Sequence, residues 1–103
     1  MNITDYQGNV IRLTDERLKH IKEHPEMAIH TDKINETLSY PDRVIKSQSD
    51  NEASLYYRQY DRLSIGDKYL CVVVKFKQDD AFVITITAYF TDSIKKGDVL
   101  WKK

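Results

Sequence analysis

The sequence predicts one α+β domain spanning residues 1–103: a short N-terminal hairpin, two helices, then an antiparallel meander of four strands. Three observations carry this expectation. Near the end, segments 69–77 and 82–90 alternate apolar and polar residues with period two, as half-buried strands do. Earlier, two segments place apolar residues at helical spacing between an N-cap signal and a proline. Finally, 103 residues with 41% hydrophobic content suit a single small core, and no repeat, linker or low-complexity stretch divides the chain.

The segments 3–6 and 10–13 flank Gln7-Gly8-Asn9, where Gly8 can supply the positive φ of a hairpin turn. Thr14 reads as an N-cap, with Asp15 and Glu16 placing acid in the first turn, and Pro25 stops that helix near His24. On this first helix, roughly 15–24, Leu18 and Ile21 form the buried stripe and Arg17, His20 and His24 line an adjoining flank. Thr31 and Asp32 open a second helix over 32–39 that buries Ile34 and Leu38. Tyr40-Pro41 ends it, because a residue before proline is pushed out of the helical region. Strands follow at 43–47, 55–60, 69–77 and 82–90, joined by connections rich in Asp, Asn and Ser with Gly66 among them.

The last two strands sort their side chains by parity. Leu70, Val72, Val74 and Phe76 share one face with Phe82, Ile84, Ile86, Ala88 and Phe90 in the neighbouring strand. Meeting those faces sets Phe76 opposite Ile84, Val74 opposite Ile86 and Val72 opposite Ala88, with a tight turn at Asp79-Asp80-Ala81. The odd positions, among them Cys71, Lys75, Thr85, Thr87 and Tyr89, gather on the other face. Chemistry is expected there.

Composition removes several classes. A single cysteine excludes an internal disulfide framework, and no apolar run approaches the roughly 20 residues that span a bilayer, so no membrane association is expected. The opening Met-Asn-Ile-Thr-Asp lacks the basic and apolar regions of a secretion signal, which points to a reducing cytoplasm. Net charge is zero, against a strongly basic nucleic-acid binder, yet residues 43–77 carry 7 basic and 4 acidic groups, enough for a local basic patch. The three widely spaced glycines form no phosphate loop, and no cofactor is expected.

The helix phrase Leu13-Thr-Asp-Glu-Arg-Leu-Lys-His-Ile-Lys-Glu-His24-Pro25-Glu26, the run Pro41-Asp-Arg-Val-Ile-Lys-Ser47, the strand Leu55-Tyr-Tyr-Arg58, and the stretch from Val83 through Tyr89 to Trp101 together carry a resemblance. The chain resembles a small phage and prokaryotic nuclease-fold family, of the group that unites barnase, EndoU, colicin and RelE-like ribonucleases. The resemblance implies about four antiparallel strands with helices on one face and, in active members, metal-independent RNA cleavage on the other. It also implies RNA as substrate, a toxin-like or mobile-element setting and a protein inhibitor as a further partner.

Cutting RNA without a metal needs a base for the 2′-hydroxyl proton, an acid for the leaving oxygen, and donors for the phosphorane charge. His20, at the family-like position on the first helix, suits proton transfer because imidazole titrates near neutrality. Arg58, Thr87 and Tyr89 complete the expected catalytic set, and Arg43, Lys46, Ser47 and Lys75 the phosphate- or RNA-binding set. Tyr56, Tyr57 and Tyr60 are candidates for stacking on unpaired bases. Each has a plainer role as well: helix-flank histidine, solvated strand cation, turn serine, packed aromatic. His24 can simply finish the helix, and His30 reads as a loop residue.

Rival chemistries have thinner support. His20-Ile-Lys-Glu23-His24 spells H-x-x-E-H, but Pro25 disturbs the helix at once and no clear partner helix supplies a further ligand, so no metal is expected. Cys71 reads as a buried small hydrophobe before it reads as a nucleophile. The competing function is a noncatalytic RNA- or protein-binding module of the same fold, and exposed strand edges leave room for a homodimer.

Overall fold

The computed structural model describes residues 1–77 and 80–103, with the side chains of 82–87 outside the described set. The chain runs β1 (Asn2–Thr4), β2 (Val10–Arg12), α1 (Asp15–Lys22), α2 (Pro25–Ala28), α3 (Asp32–Ser39), β3 (Arg43–Lys46), β4 (Ala53–Leu63), β5 (Gly66–Lys77), β6 (Asp80–Thr91) and β7 (Val99–Lys102). The strands form one seven-stranded sheet in the order β1-β2-β6-β5-β4-β3-β7, antiparallel except where β2 meets β6. The α+β class and the antiparallel meander are as expected from the sequence. The expected strand count of about four grows to seven, and the two expected helices become three.

Local chemistry explains the helices. Thr14 accepts the Arg17 N–H on its hydroxyl at 3.2 Å, a cap interaction that contributes about 1 kcal/mol. α1 closes at Lys22 because His24, ahead of Pro25, takes an extended conformation (φ −82°, ψ 119°) and heads the short α2. His24 therefore leaves the helical flank that the sequence assigns to it beside His20. In the N-terminal hairpin, Gly8 has φ 87° and Asp5 accepts the backbone N–H groups of Gln7 and Asn9 at 3.0 and 2.8 Å. The same carboxylate accepts the buried Tyr56 hydroxyl at 2.6 Å, which ties the hairpin to β4.

The sheet carries a core on each face. On one, Leu18 and Ile21 of α1, Met27 of α2 and Ile34 and Leu38 of α3 pack against Leu70, Val72, Val74 and Ala88, so all three helices lie on the even face of β5. On the other, Ile45, Ala53, Leu55, Tyr57, Cys71 and Val73 form a smaller cluster. That face was expected to be largely polar. Its centre is apolar because the chain must travel from β6 to β7 at the far edge, and residues 92–98 cross it on the way. Ile94 packs into the second cluster and the Lys95 N–H donates to the Tyr57 hydroxyl at 3.2 Å. At Gly97 a β-carbon would stand 2.4 Å from the Lys46 carbonyl oxygen and 2.6 Å from Ile45 Cγ2, so only glycine lets the crossing lie this close.

The β5–β6 register departs from the expected one. Val72 opposes Ala88 as expected, but Val74 opposes Val83 and Phe76 opposes Ala81, with an irregularity between Val72 and Val74. From Val83 to Ala88 β6 takes five steps where β5, from Val74 to Val72, takes two, and the odd difference reverses the parity on which the expected Ile84 and Ile86 pairings rested. Of the expected 79–81 turn, Asp80 and Ala81 already belong to β6, and residue 79 lies outside the described residues.

Candidate functional site

Four adjacent strands contribute one transverse row to the face away from the helices. Arg43 opposes Tyr57, Tyr57 opposes Cys71, and Cys71 opposes Tyr89. The Cys71 thiol lies between the Tyr57 and Tyr89 hydroxyls. Burial pushes it up, and hydrogen bonds from Tyr89 and Tyr57 and the charge of Lys95 only partly offset that. Burial likewise pushes the Tyr57 phenol up to about 12 and raises that of Tyr89, so all three groups are neutral near pH 7. A neutral, fully buried thiol is a poor nucleophile, which leaves Cys71 as a packing residue with two hydroxyl neighbours.

Beside this row opens a cleft of about 670 Å³. Its floor is Ala53, Leu55 and Val73; one wall is the β3–β4 turn with Ser47, Ser49 and Asp50; the other is Lys95 and Lys96 of the crossing, with Tyr89 at the side. The turn wall is held by its own hydrogen bonds. Ser47 Oγ accepts the backbone N–H groups of Ser49 and Asp50, both at 3.3 Å, because a serine after a strand organises the turn that follows. Lys75, reaching over from β5, donates to Asp50 at 2.9 Å and lies 3.7 Å from Glu52. The Lys75 hydrogen bond holds the Asp50 carboxyl below the usual carboxylate range, and Asp50 in turn raises the Lys75 ammonium. Across the cleft, the ammonium groups of Lys95 and Lys96 have no ion-pair partner among the described residues. Two lysines without an ion pair in the lining of a cleft that also holds serine hydroxyls are suited to receive an anion.

This cleft gathers part of the expected set. Ser47 and Tyr89 line it, Lys75 is bonded to it through Asp50, and Thr87 lies two residues before Tyr89 on β6 with its side chain outside the described residues. Arg43 lies on the same face at the end of the Tyr57-Cys71-Tyr89 row, away from the cleft lining, and has no ion pair among the described residues.

The other expected residues lie across the sheet. His20 is on α1, whose Leu18 and Ile21 pack into the helix-side core; its imidazole is 46% exposed and 3.7 Å from the Glu23 carboxylate. The expectation that His20 and Tyr89 share a hollow is corrected by this placement. Arg58 also faces the helices, where Nη1 donates to the Tyr40 carbonyl at 2.6 Å and Nε lies 3.5 Å from Glu36. Lys46 shares a shallow groove with Ser54, Phe76 and Leu100, apart from the cleft. The expected stacking tyrosines are occupied: Tyr56 bonds Asp5, Tyr57 lies in the second core, and Tyr60 donates to Glu36 at 2.7 Å.

Asp50, Ser49, Lys95 and Lys96 were missed from the sequence. Their only signals are a like-charge pair ahead of Gly97 and a Ser-Gln-Ser-Asp turn, both usual in solvated loops. Among the described residues no group of three or more His, Cys, Asp or Glu is placed to hold a metal ion, and no helix is long and apolar enough to cross a membrane. Compared with known proteins, residues 2–102 match a family described as phage-Barnase-EndoU-ColicinE5/D-RelE like nuclease2. No curated protein and no solved structure matches the chain.

Proposed function

The chain belongs to this phage barnase–EndoU–colicin–RelE-like nuclease family, and from that premise we propose that it is an endoribonuclease whose reacting phosphate sits in the cleft between the β3–β4 turn and the β6–β7 crossing. The observation that carries the reading is that Lys95 and Lys96, which have no ion pair among the described residues, line the same 670 Å³ hollow as Asp50. A nuclease substrate is a polyanion, and this is where the described surface offers it unpaired positive charge beside a base.

In this reading Lys95 and Lys96 hold the scissile phosphate and stabilise the charge that grows on its oxygens. Asp50 takes the proton from the 2′-hydroxyl, whose oxygen attacks phosphorus. The bond from phosphorus to the 5′-oxygen breaks, and a lysine ammonium supplies the proton that the leaving oxygen needs. The products are a 2′,3′-cyclic phosphate and a 5′-hydroxyl end. Lys75 keeps Asp50 ionised, which maintains the base form at neutral pH at some loss of driving force. Tyr89 and Ser47 border the phosphate, and Arg43, at the end of the Tyr57-Cys71-Tyr89 row on the same face, is available for a flanking contact; Thr87 is proposed as a further contact from its position in the sequence. Acid, base and cations all come from side chains, so the reaction is proposed to proceed without a metal. His20 takes no part in this cleft.

The purified protein should cleave single-stranded or transfer RNA in EDTA and leave cyclic phosphate ends. Lys95→Ala combined with Lys96→Ala, and separately Asp50→Asn, should each lower kcat/KM by about 10²-fold or more, while His20→Ala stays within about twofold. Intact RNA under every condition would remove the catalytic reading. Salt-dependent binding without cleavage would favour the noncatalytic module instead.

A further inference from the structure

A second cleft, of about 360 Å³, lies on the helix side at the β3–β7 edge and has no part in the chemistry above. Tyr6, Tyr40, Pro41, Arg58, Trp101 and Lys103 line it. Tyr6 and Trp101 pack with ring centroids 5.2 Å apart, which sets the indole in a fixed place, and Tyr40, one of the most exposed large side chains among the described residues at 70%, lines the same cleft. An aromatic ring left in water beside another aromatic wall is the arrangement that accepts a flat partner.

The polar groups around the rings narrow the partner's chemistry. Arg58 spends its Nη1 edge on the Tyr40 carbonyl, a bond that fixes the position of Tyr40. Lys103 is 71% exposed and only 3.8 Å from the Asp42 carboxylate, a loose pair in solvent that a phosphate can replace at small cost. A cleft lined by a packed Tyr6–Trp101 pair and an exposed tyrosine, with one exposed cation in its lining, suits a planar base carrying a phosphate. Its size is that of a small-ligand pocket. A nuclease family implies a nucleic acid substrate, and an unpaired nucleobase is the flat, phosphate-bearing group that such a substrate offers.

We propose that the Tyr40–Trp101 cleft binds an unpaired nucleobase, with Lys103 on its phosphate. The assignment rests on family membership and on this geometry, and stands whether or not the other cleft is the catalytic one. Trp101 is the only tryptophan of the chain, so its fluorescence reports the site directly.

Adenosine and uridine monophosphates, and short oligonucleotides added to the Lys95→Ala/Lys96→Ala variant to prevent cleavage, should quench Trp101 saturably. Tyr40→Ala, a change at an exposed residue that should leave the fold intact, should weaken that binding by about 5- to 100-fold. Lys103→Ala should lower the slope of log affinity against log salt by about one charge for the oligonucleotides. In the otherwise unsubstituted enzyme Tyr40→Ala should raise KM for RNA and leave kcat in place. No quenching at millimolar nucleotide would overturn the proposal, and so would equal quenching by ribose 5-phosphate, which marks an anion site without a base. Quenching by a peptide in place of nucleotides, or nucleotide affinity indifferent to Tyr40→Ala, would overturn it too.

Discussion

Replacing Gly97 by alanine tests the tightest packing relation in the fold. The new β-carbon would lie 2.4 Å from the Lys46 carbonyl oxygen and 2.6 Å from Ile45 Cγ2. Carbon and oxygen ordinarily meet no closer than about 3.3 Å, so the crossing must lift by roughly 0.9 Å. The nearer obstacle is backbone inside β3 and cannot rotate away as a side chain would. Lifting also strains the hydrogen bond from the Lys46 N–H to the Asp98 carbonyl, 2.9 Å long, beside the Ile45–Val99 bridge that joins β3 to β7. Overpacking at about 1–3 kcal/mol plus one weakened hydrogen bond at about 1 kcal/mol gives a loss of roughly 2–4 kcal/mol. For a domain of this size the melting temperature should fall by roughly 10–20 °C. Calorimetry or a urea titration would measure it. The same shift moves Lys95 and Lys96, so the proposed RNA cleavage should fall even at temperatures where the variant is fully folded. A melting temperature within about 3 °C of the parent would show that the crossing does not press on β3 as described.

Three further outcomes follow from the same geometry. Tyr56→Phe removes the hydroxyl that donates to Asp5 and leaves that buried carboxylate one donor short, so unfolding in urea should show a loss of about 1–3 kcal/mol. The Asp50–Lys75 pair should give stability a pH dependence at both ends. Asp50 is depressed, so its contribution is present above the ordinary carboxylate range and lost as pH falls through its lowered value. Lys75 is raised, so its contribution is present below the ordinary lysine range and lost as pH climbs through its raised value. Urea midpoints of the parent minus those of Lys75→Met should therefore plateau between about pH 4 and pH 10 and decline on either side; a difference independent of pH would contradict the pairing. Cys71, buried with its thiol raised, should react with a disulfide reagent only as fast as the domain opens, and rapid labelling without denaturant would show the second core to be looser than described.

What the sequence made legible was the even set. Leu70, Val72, Val74 and Ala88 are buried with Ile21, Ile34 and Leu38, with Leu18 packed at their margin, because period two and period 3.6 each mark a face that must leave water. The same logic, carried one step further, places His20. A helix that buries Leu18 and Ile21 on the apolar face of the ribbon cannot at once overhang the opposite face, so His20 and Tyr89 were separable before any coordinates. β7 and the crossing were not legible. Val99-Leu-Trp-Lys is too short to alternate convincingly, and its partner Ile45 lies half the chain away. Without the crossing, nothing in Tyr57, Cys71 and Val73 announces a second core, and nothing in Lys95-Lys96 announces a wall. The β5–β6 register was lost for a related reason: parity assumes an unbroken ladder, and β6 interrupts its own.

The sheet order has a consequence in time. β7 seats against β3, yet among the described elements it is the last to be synthesised, so a polypeptide emerging from the ribosome presents the meander with its outer border open until those residues arrive. Until then Lys95 and Lys96 are tethered on the β6 side alone, and the cleft proposed to hold the phosphate lacks a settled basic wall. On the proposed function, a fragment released after Thr91 should bind RNA no better than an unfolded polymer of the same charge.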